Sequence, residues 1–286
     1  MPLVRSVLYK GFRRDNVSLK TYIQKNRKRL RKRKRLIAFL SILAVLGLST
    51  ATFAWFTVNT FAGVNDFELK ISTGEELRVS MQNHGSDIDQ YVFEITNEMI
   101  NSHLRKYNTS LDKMILHPVT TNNGSRFTYQ YGSEAKPNDD RSYLEVECYF
   151  IATKEMWVHL TTETGKENSD KVGSRVSSSS PAPKSEITQA VRIDFQTEDS
   201  ADGVKTWEPN KGSQVTRLTT FDLPSGEMKY SDDNNLFHLE KLTPKKVTFR
   251  LWMEGEDPQC DNDVQQANLK VRMSFVGCDN KNNPIS

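Results

Sequence analysis

The sequence predicts an all-β fold: an antiparallel, jelly-roll-like β-sandwich outside a membrane, preceded by a single N-terminal transmembrane helix. Three observations predict it. Residues 36–56 carry no charged side chain, and one helix needs about 20 apolar residues to cross a bilayer. The run before them, Arg27-Lys28-Arg29-Leu30-Arg31-Lys32-Arg33-Lys34-Arg35, is cationic at every position but one. Beyond residue 66 the chain alternates apolar and polar side chains in six separate runs, the period of strands with one buried face.

Residues 1–35 form a basic arm with 14 Lys/Arg and one acid, Asp15, a balance of +13. The rest of the chain holds 25 Lys/Arg and 35 Asp/Glu, a balance of −10, so the overall +3 conceals two oppositely charged parts. Cationic flanks stay cytoplasmic and meet anionic headgroups. Arg27, Lys28, Arg29, Arg31, Lys32, Arg33, Lys34 and Arg35 are therefore read as the topology determinant, with the lipid bilayer as partner. Nucleic acid is not expected as a partner, because the apolar run follows the basic block without a spacer.

Residues 36–56 read as a transmembrane helix or the apolar region of a signal. The run is longer than the 7–15 residues usual in a secretory signal, and its outer edge carries the aromatic pair Trp55-Phe56, which suits an interfacial anchor. Ser49–Ala51 and Thr52–Ala54 each offer small residues spaced for cleavage. The chain is thus expected to be single-pass with its N-terminus cytoplasmic and its C-terminal domain extracellular, or secreted after cleavage. A linker over 57–65 leads to one domain over 66–286.

In that domain Phe67, Leu69 and Ile71 alternate with polar residues, as do Leu77, Val79 and Met81. Leu144, Val146, Cys148 and Phe150 follow the same rule, then Val191, Ile193 and Phe195, then Val247, Phe249, Leu251 and Met253, then Leu269, Val271, Met273 and Phe275. Antiparallel sheets solvated on one side look like this, and two such sheets face to face make a sandwich of nine or ten strands. One helix is expected, over Glu94–Lys106, with Ile95, Met99, Ile100 and Leu104 on its apolar side. Gly165–Lys184, rich in Ser and Pro, and Asp199–Gly212 read as long surface loops.

Three cysteines, Cys148, Cys260 and Cys278, are too few and too odd for a disulfide framework. If 245–254 and 267–276 form a hairpin, Cys260 sits at its turn and Cys278 at its open end. Ten strand residues span about 33 Å, and bridged Cα atoms lie within about 7 Å, so a hairpin forbids that bridge. Two strands in different sheets would permit it.

Catalytic signatures are missing. The histidines His84, His103, His117, His159 and His238 do not fall in H-E-x-x-H spacing. No G-x-S-x-G, P-loop or G-x-G-x-x-G occurs, and the chain is not expected to be an enzyme. Glu254, Glu256, Asp257, Asp261 and Asp263 cluster between two strands. Such a loop is either a solvated turn or a calcium site of oxygen ligands, and its spacing fits no EF-hand; no other cofactor is expected. Trp157, Trp207 and Trp252 are ligand candidates. An aromatic on a polar strand face is either a platform on which a sugar stacks or the cover of a neighbouring loop.

The segment Thr50-Ala51-Thr52-Phe53-Ala54-Trp55-Phe56-Thr57 resembles the signal region of Gram-positive surface proteins of the biofilm-matrix fibre and camelysin type. More loosely, Phe249-Arg250-Leu251-Trp252-Met253-Glu254-Gly255-Glu256-Asp257-Pro258-Gln259-Cys260 is similar to a strand and acidic loop of clostridial surface proteins. The resemblance implies cleavage near the signal segment and a structural or adhesive role at the cell surface or in its matrix. Partners would then be other copies or other matrix proteins, joined by strand addition at sheet edges. The alternative expectation is a membrane-tethered module that binds carbohydrate or peptide.

Overall fold

The computed structural model describes residues 22, 30, 32–42, 61–72, 75–129, 132–139, 141–161, 173–199, 203–210 and 230–285. The chain divides into two units, Met1–Val58 and Asn59–Ser286.

In the first unit, residues 32–42 are helical. Its described residues include Lys32, Arg33, Lys34 and Arg35 and residues 36–42 of the apolar run. Among the described residues no helix is long and apolar enough to cross a membrane. The transmembrane helix expected over 36–56, and the single-pass topology built on it, are corrected accordingly. Residues 43–56, Arg27, Lys28, Arg29 and Arg31 lie outside the described residues.

The second unit is built of strands. In chain order they are β1 (Ala62–Ile71), β2 (Leu77–Ser80), β3 (Glu94–Ile95), β4 (Ile115–Leu116), β5 (Pro118–Thr121), β6 (Phe127–Tyr129), β7 (Arg141–Ser142) and β8 (Leu144–Ala152). There follow β9 (Met156–Leu160), β10 (Arg175–Ser178), β11 (Val191–Thr197), β12 (Val204–Trp207), β13 (Asn235–Leu239), β14 (Lys245–Glu254) and β15 (Ala267–Cys278). One sheet runs β13-β9-β15-β1-β4-β7, with β10 also on β15 and β3 also on β1. The other runs β12-β11-β14-β5-β6, with β8 also on β14 and β2 on β8.

One point corrects the expected architecture, and a second settles what it left open. The sheets are mixed: β1 pairs with β15, β4 with β7 and β5 with β14 in parallel. Period-2 alternation reports which face is buried and is blind to strand direction. Of the two arrangements the sequence leaves open for 245–254 and 267–276, the hairpin does not form, because β14 and β15 belong to different sheets. Cys148, Cys260 and Cys278 are nonetheless all free thiols.

The core lies between the sheets and carries the apolar sets read from the sequence. Phe67, Leu69, Leu269, Met273 and Phe275 come from one sheet, and Val146, Cys148, Phe150, Ile193, Phe195, Val247, Phe249 and Leu251 from the other. Phe150 stands at the join, its ring centroid 5.2 Å from both Phe237 and Phe275. Burial pushes the Cys148 thiol up, beyond the ordinary thiol range, so it packs as a small apolar group.

The expected helix shortens to Asn97–Leu104, burying Ile100 and Leu104. Its first residues are taken by β3, where Ile95 opposes Leu69 of β1. Asn97 repairs the register shift between Val64 and Asp66. Its side-chain carbonyl accepts from Phe67 N at 2.9 Å and its amide donates to Asp66 Oδ1 at 2.7 Å. The two segments read as loops each contribute a strand, β10 and β12.

Candidate functional site

The outward faces of the two sheets meet different fates. On β14, Arg250, Trp252 and Glu254 point away from the core, as do Arg192 and Asp194 on β11. Val119, Phe127, Ala135 and Tyr143 cover Trp252 in a second small core, with the Phe127 ring edge-on at 5.2 Å. The Trp252 indole N–H donates to Glu254 Oε2 at 3.1 Å. Arg192 is fully buried and holds Asp257 at 2.6 Å and Glu208 at 3.0 Å. Arg250 donates to Glu145 at 2.7 Å, to Gln196 at 2.6 Å and to the Gly124 carbonyl at 2.8 Å.

Asp194 is buried beside Arg250 at 3.5 Å, an ion-pair distance. Neither of its carboxylate oxygens accepts a hydrogen bond among the described residues. Burial raises its carboxyl well above the usual range, and burial also raises Glu254.

This covering removes two ligand candidates and disperses the acidic cluster. Trp252 is fully buried, and Trp207 lies in the inter-sheet core; neither offers a ring to a ligand. Asp257 is spent on Arg192. Glu254 accepts from Trp252 and from Glu256 N, and Asp261 caps a one-turn 3-10 helix by accepting from Asp263 N. Among the described residues no group of three or more His, Cys, Asp or Glu is placed to hold a metal ion.

Trp157 is different. It sits on β9 directly opposite His238 of β13, their ring centroids 4.7 Å apart. Both open on a cleft of about 650 Å³ lined also by Glu155, Glu198, Asp199, Glu240, Thr243, Pro244, Lys245 and Lys246. The cleft lies where the chain leaves β13 of one sheet for β14 of the other, so walls from both sheets converge there. That size falls in the range of about 300–1,000 Å³ usual for small-molecule sites.

The charges in the cleft are ordered. His238 Nε2 lies 3.1 Å from Glu155. Lys246 donates to Glu147 at 2.6 Å and faces Glu198 at 3.8 Å. The Glu147 hydrogen bond holds the Lys246 ammonium pKa above its ordinary value. Lys245 faces Asp199 at 3.9 Å. The His238, Lys245 and Lys246 side chains are about three-quarters covered, at 21–27% exposure, while Glu155 and Glu198 are 75% and 73% exposed. Sequence reading found Trp157 and missed its partners. Glu155 and Trp157 share a strand face by their spacing of two, but His238, Glu240 and Lys246 arrive from residues 80–90 positions later.

A second, larger cleft of about 1,000 Å³ runs along β5 and β6. Its lining of Thr120, Thr121, Asn122, Asn123 and Thr128 is polar, and Tyr129 is the one aromatic ring among the described residues that line it.

His159 is buried on the outer side of β9 against Tyr230, at 5.4 Å between ring centroids. Neither ring nitrogen hydrogen-bonds among the described residues. Burial drives its pKa down to about 4, only partly opposed by the Asn234 backbone and Asp232.

Comparison with known proteins returns no matching family model, no similar curated protein and no similar solved structure.

Proposed function

We propose that this chain is a non-enzymatic structural or adhesive protein of a bacterial surface or its extracellular matrix, and that it holds carbohydrate in the Trp157 cleft. One observation carries the binding reading: among the three tryptophans singled out from the sequence, Trp157 alone keeps its ring open to a cleft. An aromatic ring supplies a flat apolar surface and a quadrupolar face, which suits the C–H face of a sugar ring. The polar and charged side chains around it suit the hydroxyls. The extracellular placement is supported by the acidic balance of residues 36–286 and by the signal-like segment Thr50–Thr57.

The test is binding of the full chain to an array of oligosaccharides, followed by titration of the best ligand into Trp157→Ala. The reading expects saturable binding that the substitution reduces at least tenfold. No binding above background, or binding indifferent to Trp157, overturns it.

A further inference from the structure

Resting on the carbohydrate reading, we propose that the cleft selects amino-sugar chains bearing free ammonium groups over neutral and acidic glycans. The argument is the placement of charge around an aromatic wall. Four carboxylates, Glu155, Glu198, Asp199 and Glu240, line the cleft against two lysines and His238, so the formal balance is −2, or −1 with the imidazole protonated.

Position sharpens the imbalance. Lys246 is drawn away by Glu147, which lies outside the cleft lining. Lys245 and His238 are largely covered, and each lies beside an acid. The carboxylates stand further out, and Glu240, exposed on the rim, has no ion-pair partner among the described residues. A ligand entering the cleft therefore meets negative charge before it meets positive.

The ring adds an independent preference of the same sign. A cation over a tryptophan face is attracted by the ring quadrupole. An ammonium on a sugar stacked against Trp157 would lie near the ring, Glu155 just before β9 and Glu240 in the β13–β14 turn. A neutral sugar keeps the stacking alone. A uronic acid adds like-charge repulsion, which costs specificity-grade energy at an interface. A volume of about 650 Å³ suits an oligosaccharide rather than a lone ion.

The deciding experiment uses the full chain at pH 6 and low salt with four probes: partly deacetylated chitosan oligomers, fully N-acetylated chitin oligomers of equal length, oligogalacturonate and oligolysine. The expected result is affinity for chitosan at least tenfold above chitin, no detectable binding of galacturonate, and weak binding of oligolysine. The chitosan advantage should shrink as salt rises. Glu240→Gln and Glu155→Gln, both at exposed positions, should bring the chitosan-to-chitin ratio within about threefold. Equal affinity for chitin and chitosan overturns the charge selection and leaves the carbohydrate reading standing. Binding of galacturonate as strong as chitosan, or of oligolysine as strong as chitosan, also overturns it. Binding to none of the glycans overturns the underlying reading.

Discussion

Trp252 and Trp157 start alike. Each lies on a strand, flanked by residues whose side chains face the core, and each points away from that core. Trp252 ends fully buried under Phe127 and Tyr143, with its N–H satisfied by Glu254. Trp157 ends half-open beside His238 over a polar cleft. The difference comes from what arrives later in space. Val119, Phe127, Ala135 and Tyr143 pack over Trp252 on the outer face of β14, and the charged residues there close into bonded groups around Arg192 and Arg250. Around Trp157 the same ingredients, aromatic ring, acids and cations, remain at the surface. Covered, they hold the fold; uncovered, they can hold a ligand.

Arg192→Leu should break the covered region most severely. It leaves Asp257 buried without its cation, and stranding one partner of a buried pair costs about 3–5 kcal/mol. Urea denaturation measures the loss, and a change below 1 kcal/mol would show that the covered charges do not bear on stability. Trp252→Ala should cost about 3–5 kcal/mol by cavity formation while leaving carbohydrate affinity within twofold. Trp157→Ala should reverse that pattern, with stability lowered by about 1 kcal/mol and binding lost.

Acid sharpens the comparison through groups of opposite sign. His159 is held neutral, with a pKa near 4 in the fold against about 6.5 unfolded. The unfolded chain takes up the proton first, so stability should fall as pH drops from about 6.5 to 4, by on the order of 2 kcal/mol. His159→Gln should abolish that slope, read from denaturation at successive pH values. Asp194, raised by burial, runs the other way. Its contribution is full below the unfolded carboxylate range and is lost as pH rises toward the folded value. Asp194→Asn should therefore gain stability relative to the parent as pH rises from 4 to 8, and the absence of that gain would show an ionised Asp194 satisfied by Arg250. The smallest effect belongs to Lys154→Ala. Its pair with Glu76 at 2.7 Å leaves the lysine side chain 60% exposed, and such pairs are worth under about 1 kcal/mol.

Local pattern made the strands legible where one face meets water. On β8, Leu144, Val146, Cys148 and Phe150 are buried as their alternation requires. It failed on β11, where Arg192 and Asp194 are as buried as Val191 and Ile193, because the covering segment is distant in sequence. Strand direction was illegible for a similar reason: a period of two is the same for parallel and antiparallel neighbours. Short β10 and β12 lie in stretches whose Ser, Gly and Pro content reads as loop. At the cleft, Trp157 was visible as a ligand candidate, while the acids that set its chemistry come from turns that only the sandwich brings together.

The parallel union of β1 and β15 decides how the unit bears force. Nine Cα partner pairs join them, from Ala62 opposite Ala267 to Ile71 opposite Phe275, and Arg272 ties across to Glu68 at 3.0 Å. Because the strands run the same way, tension entering before Ala62 and leaving after Cys278 drags one along the other. The evenly spaced, slanted bonds of a parallel ladder are then loaded together in shear, whereas a hairpin pulled from its open end gives way one bond at a time. Pulling single molecules through Phe61 and Asp279 should show one high rupture force, and a series of small steps would mean the ladder peels instead. A protein that grips a surface with its cleft would thus carry, in its first and last strands, the clasp that keeps it from being stretched open under flow.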